Sequence, residues 1–336
     1  MQLTKGAIGN LINRYKAVLK KCHLMNTFGS LAVAGMLIMG GAGMAVAADD
    51  VPLKNGTSET KYDPAVGANH LMGGWLVNDA ETAKAAKGDI TLTVTGGTIS
   101  EIIGGSYAKN LAASGDSLLT VKHGDITTTI SGDKTTSAEF VVGGSKVAGG
   151  AGANLETGKT TLTIENGTFG VAGKTEGYEL VMGGNYAKTA GNSGLKATTE
   201  GSSVIVNGGT FHASVVGGSV AHNYSGAGIT NVFDNGNTSV TITGGTFNPS
   251  ESSLADSNGG INLKVKAAVI GGGLAYGANT STVLGSKEAP ANSSVSISGD
   301  KTAINGKVVA GSVVANNGGT AIVHGNTTLA MAGGTA

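Results

Sequence analysis

One pattern recurs along this chain and leaves few folds open to it. A run of alternating β-branched residues leads into Gly-Gly-Thr, and a short apolar step then ends in a second glycine pair. The first clear copy reads Thr91-Leu92-Thr93-Val94-Thr95-Gly96-Gly97-Thr98-Ile99 and closes at Ile102-Ile103-Gly104-Gly105. The others run from Thr161 to Phe169, from Ser203 to Phe211 and from Ser239 to Phe247, and close at Gly183-Gly184, Gly217-Gly218 and Gly271-Gly272. Weaker copies keep the skeleton at Ile126-Thr127-Thr128-Thr129-Ile130 and at Val295-Ser296-Ile297. A unit of roughly 34–42 residues is too small to enclose a core, so it buries its apolar side by stacking on its neighbours.

The alternation has a period of two. It puts Leu92 and Val94 on one face of a strand and Thr91, Thr93 and Thr95 on the other. The equivalent inward pairs are Leu162/Ile164, Val204/Val206 and Val240/Ile242. The Gly-Gly step supplies a sharp turn, because glycine accepts a positive φ without a Cβ clash. Phe169, Phe211 and Phe247 share one position, held by Ile99 in the first copy, and Tyr107 and Tyr186 share another. Coils stacked ~4.8 Å apart would superpose such residues into ladders. The reading is an all-β chain, a right-handed β-helix or β-solenoid built from Gly-Gly-Thr repeats. One long coil per repeat, with two strong strands and a variable third side, is favoured over two short coils. A sandwich or open barrel of hairpins is the rival on strand signals alone. Helix is opposed by the density of β-branched residues and glycine.

The beginning of the chain differs in composition. Residues 1–47 hold Lys5, Arg14, Lys16, Lys20 and Lys21 with no acidic residue, then the apolar stretch 28–39, then small residues ending Ala45-Val46-Ala47. A basic region, an apolar region and a small-residue site make a secretory signal peptide, with cleavage expected between Ala47 and Ala48. The apolar part is short and glycine-rich for a membrane span. Residues 48–87 read as an N-terminal linker and degenerate cap, in which Leu71-Met72-Gly73-Gly74-Trp75 is the closing half of a first copy. Residues 88–336 carry the repeats and end in mid-repeat.

The long basic leader (Gly9-Asn10-Leu11-Ile12-Asn13-Arg14-Tyr15, then Asn26-Thr27-Phe28-Gly29-Ser30) ahead of a Gly/Thr/Val repeat resembles the extended signal peptide and passenger of an autotransporter of type V secretion. The resemblance implies a β-helical passenger handed by its leader to the inner-membrane secretion machinery. It implies export to the outer membrane, cell surface or medium of a Gram-negative bacterium. It also implies a transmembrane barrel of alternating ~10-residue strands. No such segment occurs between Thr327 and Ala336, where the chain stops.

Composition narrows the chemistry. The one cysteine, Cys22, and the one arginine, Arg14, both lie in the leader, so the remainder offers no disulfide, Cys-based zinc site or Cys nucleophile. Five of the 22 basic residues lie in the leader, which leaves 17 lysines against 22 acidic groups. Without clustered Arg and Lys, nucleic acid is not an expected partner. Gly115-Asp116-Ser117-Leu118 spells a motif of serine esterases, but it stands in a linker, and no histidine follows an aspartate by three residues. His70, His123, His212, His222 and His324 are scattered and read as surface residues, with no zinc spacing. Phe233-Asp234-Asn235-Gly236-Asn237 reads as a turn with one carboxylate. Residues 188–194 and 222–226 read as polar linkers, and 248–266 as an insertion within one copy. No catalytic, cofactor or metal residues are assigned. The expected role is a non-enzymatic, adhesive or surface-interacting scaffold whose partners are host or bacterial surface glycans or proteins. The alternative is an exported esterase or polysaccharide hydrolase on the same scaffold.

Overall fold

The computed structural model describes residues 51–52, 60–62, 68–74, 76–77, 88–111, 119–122, 124–132, 135–149, 153–173, 179–189, 194–223, 229–249, 267–315 and 319–334. All regular structure among them is β. The coil of the third clear copy shows the plan. It consists of β1 (Ser202–Val206), β2 (Thr210–Phe211), β3 (Ser214–Val216), β4 (Val220–Asn223) and β5 (Thr230–Asp234). The chain then returns at Thr238, directly on Ser202, to begin the next coil. Each strand pairs in parallel with its counterparts in the coils on either side, so the chain is a parallel β-helix with one coil per repeat. Successive coils advance by 36, 34, 42 and 36 residues, then 55 where the insertion falls, then 34.

Four sheets result. The first collects the Thr/Val runs, including β1; the second holds both β2 and β3; the third holds β4 and the fourth β5. The expectation of two strong strands and a variable third side is therefore corrected. β4 and β5 each continue a ladder of their own: β4 is buried along its whole length, and β5 alternates with Thr230, Val232 and Asp234 inward. Residues 188–189 and 222–223, expected in linkers, belong to the β4 ladder, where Lys188 pairs with His222 and Thr189 with Asn223.

Register is kept along the first sheet, while the second and third sheets carry shifts at 137–140, 148–149 and 267–269. Val94, Ile130, Ile164, Val206, Ile242, Ile297 and Met331 occupy one line. Leu92, Val94, Leu162, Ile164, Val204, Val206, Val240 and Ile242 are all buried, as the alternation requires. The rings of Phe169, Phe211 and Phe247 stack with centroids 5.0 and 4.6 Å apart. Each such contact adds about 0.5–1.5 kcal/mol beyond area burial. Tyr107 and Tyr186 share a register line as read, but they do not touch as neighbours, because Lys146 of the weak copy stands between them.

The two glycine pairs do different work. In Gly-Gly-Thr the second glycine takes a positive φ, 107° at Gly209 and 109° at Gly245, and turns the chain from the first sheet into the second. The pair closing β3 is instead a close approach of backbones. A Cβ on Gly217 would fall on the carbonyl oxygen of Gly271 and on Val240, while its N–H donates to Ile270 O at 2.7 Å.

The core has three parts. Val181, Val215 and Val269 face the first sheet and join its Val/Ile/Leu lines and the phenylalanines. Met182, Val216 and Ile270 point the other way, onto Tyr186, Val220 and Leu274 of the third sheet. Ala187, Ala221, Leu195, Ala197 and Val232 fill the narrow space between the third and fourth sheets. The β3 ladder is thus buried on both faces, which explains its continuous apolar reading.

Candidate functional site

The glycine corner between β3 and β4 carries a ladder of polar side chains inside the stack. Ser106 N–H donates to Ser145 Oγ at 3.1 Å, Ser145 N–H to Asn185 Oδ1 at 2.8 Å, and Asn185 N–H to Ser219 Oγ at 3.0 Å. The next residue in this line is Gly273, which has no side chain to offer Ser219. Asp234, the last residue of β5, takes over. Its Oδ2 accepts the Ser219 N–H at 2.9 Å and its Oδ1 accepts the Ser219 hydroxyl at 2.6 Å. Beyond the gap, Gly273 N–H resumes the pattern by donating to Ser312 Oγ at 3.0 Å. Asp234 is fully buried, and that burial pushes its pKa up from 3.8 to about 6, against the opposing pull of the two Ser219 hydrogen bonds. The expectation of a turn at Asp234 is corrected: the turn begins one residue later, at Asn235. The alternation Thr230-x-Val232-x-Asp234 is the signal that places it inside.

A second polar group lies between the second and third sheets. Lys146 and Glu101 are each 3% exposed. Lys146 Nζ sits 2.6 Å from Glu101 Oε1 and 2.5 Å from Oε2. His70 Nε2 stands 3.3 Å from Oε2. The rings of Tyr107, Phe140 and Tyr186 enclose the ammonium at 4.6, 5.4 and 5.7 Å from their centroids. Burial pulls the Lys146 pKa down, and the Glu101 carboxylate resists. The alignment of Gly-Gly-Ser-Lys146 with Gly-Gly-Ser-Tyr107 is the sequence signal that this lysine holds an interior position.

His222, expected at the surface, is 1% exposed. The Tyr186 hydroxyl and His222 Nδ1 share a 2.9 Å hydrogen bond, and the Tyr276 ring meets the imidazole edge-on at 4.8 Å. Burial, with the Lys188 charge second, pushes its pKa down to about 3, so the ring is neutral at ordinary pH. His70, His212 and His324 are half-buried.

Where the fourth sheet turns into the first, Asp89, Asp125, Glu156 and Glu200 line a shallow open depression. The aspartates there are used by the stack: Asp125 N–H donates to Asp89 Oδ1 at 3.0 Å and Lys159 N–H to Asp125 Oδ1 at 2.8 Å. Asn237 and Asn292 repeat the device, accepting the N–H groups of Asn292 and Asn326. No group of three His, Cys, Asp or Glu suited to a metal ion is found among the described residues. No helix among them is long and apolar enough to cross a membrane, which does not bear on barrels.

Several expected positions lie outside the described residues: the cleavage site Ala47/Ala48, the Ser117 motif, His123, Trp75 and residues 250–266. Asn248 and Pro249, which lead into the insertion, are described; Asn248 N–H donates to Phe211 O at 2.7 Å, and its side chain accepts from Asn305 at 3.0 Å. Comparison with protein-family models, with curated proteins and with solved structures returns no match.

Proposed function

We propose that the chain is an exported passenger of the autotransporter kind, a β-helical scaffold that presents loops for adhesion or other surface interaction. One observation carries this reading. On one side of the insertion Phe247 pairs with Phe211, and on the other Val269 pairs with Val215, so pairing with the preceding coil resumes across the interruption, with one shift at 267–269 against the following coil. A loop leaving a coil that closes regardless is free to vary and to bind, while the ladders hold its base in place. The outer face of the first sheet, with Thr91, Thr93, Thr161, Thr163 and Thr241, adds an uncharged hydroxyl surface. The basic leader and its Ala-x-Ala site support export, with surface glycans or proteins as the partner class.

Deleting Pro249–Gly260 tests the assignment. Far-ultraviolet circular dichroism is expected to stay that of a β-protein, and binding of the purified chain to cells or immobilised glycans is expected to fall several-fold. Unchanged binding, together with an esterase activity that Ser117→Ala abolishes, would replace the scaffold reading with the hydrolase.

A further inference from the structure

The Lys146–Glu101 pair breaks the pattern of the positions it occupies. Its line in the third sheet is otherwise Leu76, Tyr107, Tyr186, Val220, Leu274 and Val313. Glu101 shares its line in the second sheet with His70, Phe140, Leu180 and Ser214. A buried ion pair seldom stabilises a fold more than apolar residues of similar size, because both ions lose their water. An interior lysine set in an apolar and aromatic line, against a buried glutamate, therefore asks for a role beyond packing.

The geometry supplies one. Nζ is nearly equidistant from the two carboxyl oxygens, at 2.6 and 2.5 Å. An atom held that way stands within about 3 Å of the carboxyl carbon, the separation of a near-attack arrangement. The side chains of Lys146 and Glu101 are only 4% and 5% exposed, so water is scarce and the reverse hydrolysis is disfavoured. His70 is more open, at 26%, and its Nε2 touches the oxygen that would leave.

We propose that Lys146 and Glu101 condense in the folded protein to an isopeptide bond, with His70 as the group that takes up the proton shed by the attacking nitrogen and returns it to the departing oxygen. The Nζ–Cδ bond forms and the Cδ–Oε2 bond breaks. The ammonium contributes two hydrogens and the carboxylate one oxygen; these leave as water, and nothing is oxidised or reduced. The first step is proton transfer from Lys146 to the carboxylate, which yields the neutral amine and acid that react. Burial favours that neutral pair by weakening the hold of Lys146 on its proton. The amide that results removes two charges from the interior and keeps polar groups able to hydrogen-bond. It also ties Glu101 in one coil to Lys146 in the next, a covalent brace across 45 residues of chain.

Mass spectrometry of the full folded chain tests this. The protein is expected to be lighter by one water than its sequence. Trypsin should fail to cut after Lys146, and a branched peptide containing both Glu101 and Lys146 should appear. The double variant Lys146→Met/Glu101→Leu, which replaces the pair with apolar groups and should still fold, is expected to keep its full mass. In newly synthesised chains, His70→Ala should slow the loss of water at least tenfold; an unchanged rate would remove His70 from the reaction. A folded wild-type chain of full sequence mass, with Lys146 cleavable after unfolding, would overturn the proposal and leave the pair ionic.

Discussion

Replacing Asp234 with asparagine tests the physical account of the glycine corner. The carboxyl group is fully buried, it receives two hydrogen bonds from Ser219, and its pKa is raised from 3.8 to about 6. The strands flanking β5 bring no charge to it: Asp234 pairs with Thr199 on one side and Leu284 on the other. His222 on β4 is neutral, and Lys196 faces outward. The sign follows from proton counting. Between pH 3.8 and about 6 the folded state holds a proton that the unfolded chain has released, so stability falls as pH rises through this window and levels off above it. Each tenfold change in proton affinity corresponds to about 1.4 kcal/mol, which makes the ionised folded state worse by about 3 kcal/mol. An asparagine at this position would carry no charge, could accept the Ser219 N–H through its oxygen, and could donate its amide to the Ser219 hydroxyl. Asp234→Asn is therefore expected to be more stable than wild type at pH 8 by about 1–3 kcal/mol, and equal to it within error near pH 4. Urea unfolding followed by circular dichroism at both pH values reads this directly. If the gap between the two proteins is the same at pH 4 and pH 8, the buried carboxylate is not the cause and the reasoning fails.

Two further substitution pairs probe the stack. Val206→Asp places an unpaired charge on the inward line and should cost several kcal/mol, at least about 3, whereas Thr241→Asp on the outer face should stay within about 1; equal losses in urea midpoint would refute the alternation. Gly217→Ala drives a Cβ onto the Gly271 carbonyl and should unfold the local coils, measurable as lost amide-exchange protection at Gly183 and at residue 217, whose N–H groups donate to Val216 and Ile270. Gly173→Ala meets no atom within 4 Å but has a φ of 70°, so it should cost only about 1 kcal/mol, and a larger loss there than at Gly217 would contradict the close-approach account.

The inward and outward faces are legible in the sequence because they depend on local alternation and a repeat. Leu92, Val94, Val206 and Ile242 need only a period of two to be placed, and the phenylalanine ladder needs only that coils stack in register. The candidate polar groups do not yield to this reading. Lys146 is invisible as an interior residue while it counts as one more lysine, although its alignment with Tyr107 holds the information. Asp234 reads as part of a turn because Asn-Gly follows it at once, and that turn signal outweighs the phase it shares with Val232. His222 reads as a linker residue because its neighbours are polar, yet the β4 ladder carries it into the core.

The sequence by itself determined that this chain stacks as a β-helix, which residues of the Thr/Val runs face inward, and where glycine must turn the backbone. A parallel in-register stack sets like positions on like positions, so one repeat predicts the next. Only the tertiary structure decided that the β3 ladder is buried on both faces, that β4 folds back against it, and that unlike positions meet there. Asp234 reaches Ser219 because residue 273 is glycine, and Lys146 reaches Glu101 because the corner brings the second and third sheets face to face. Those encounters depend on the path of the coil in space, and a pattern that compares each repeat only with its equivalents in other coils does not contain that path.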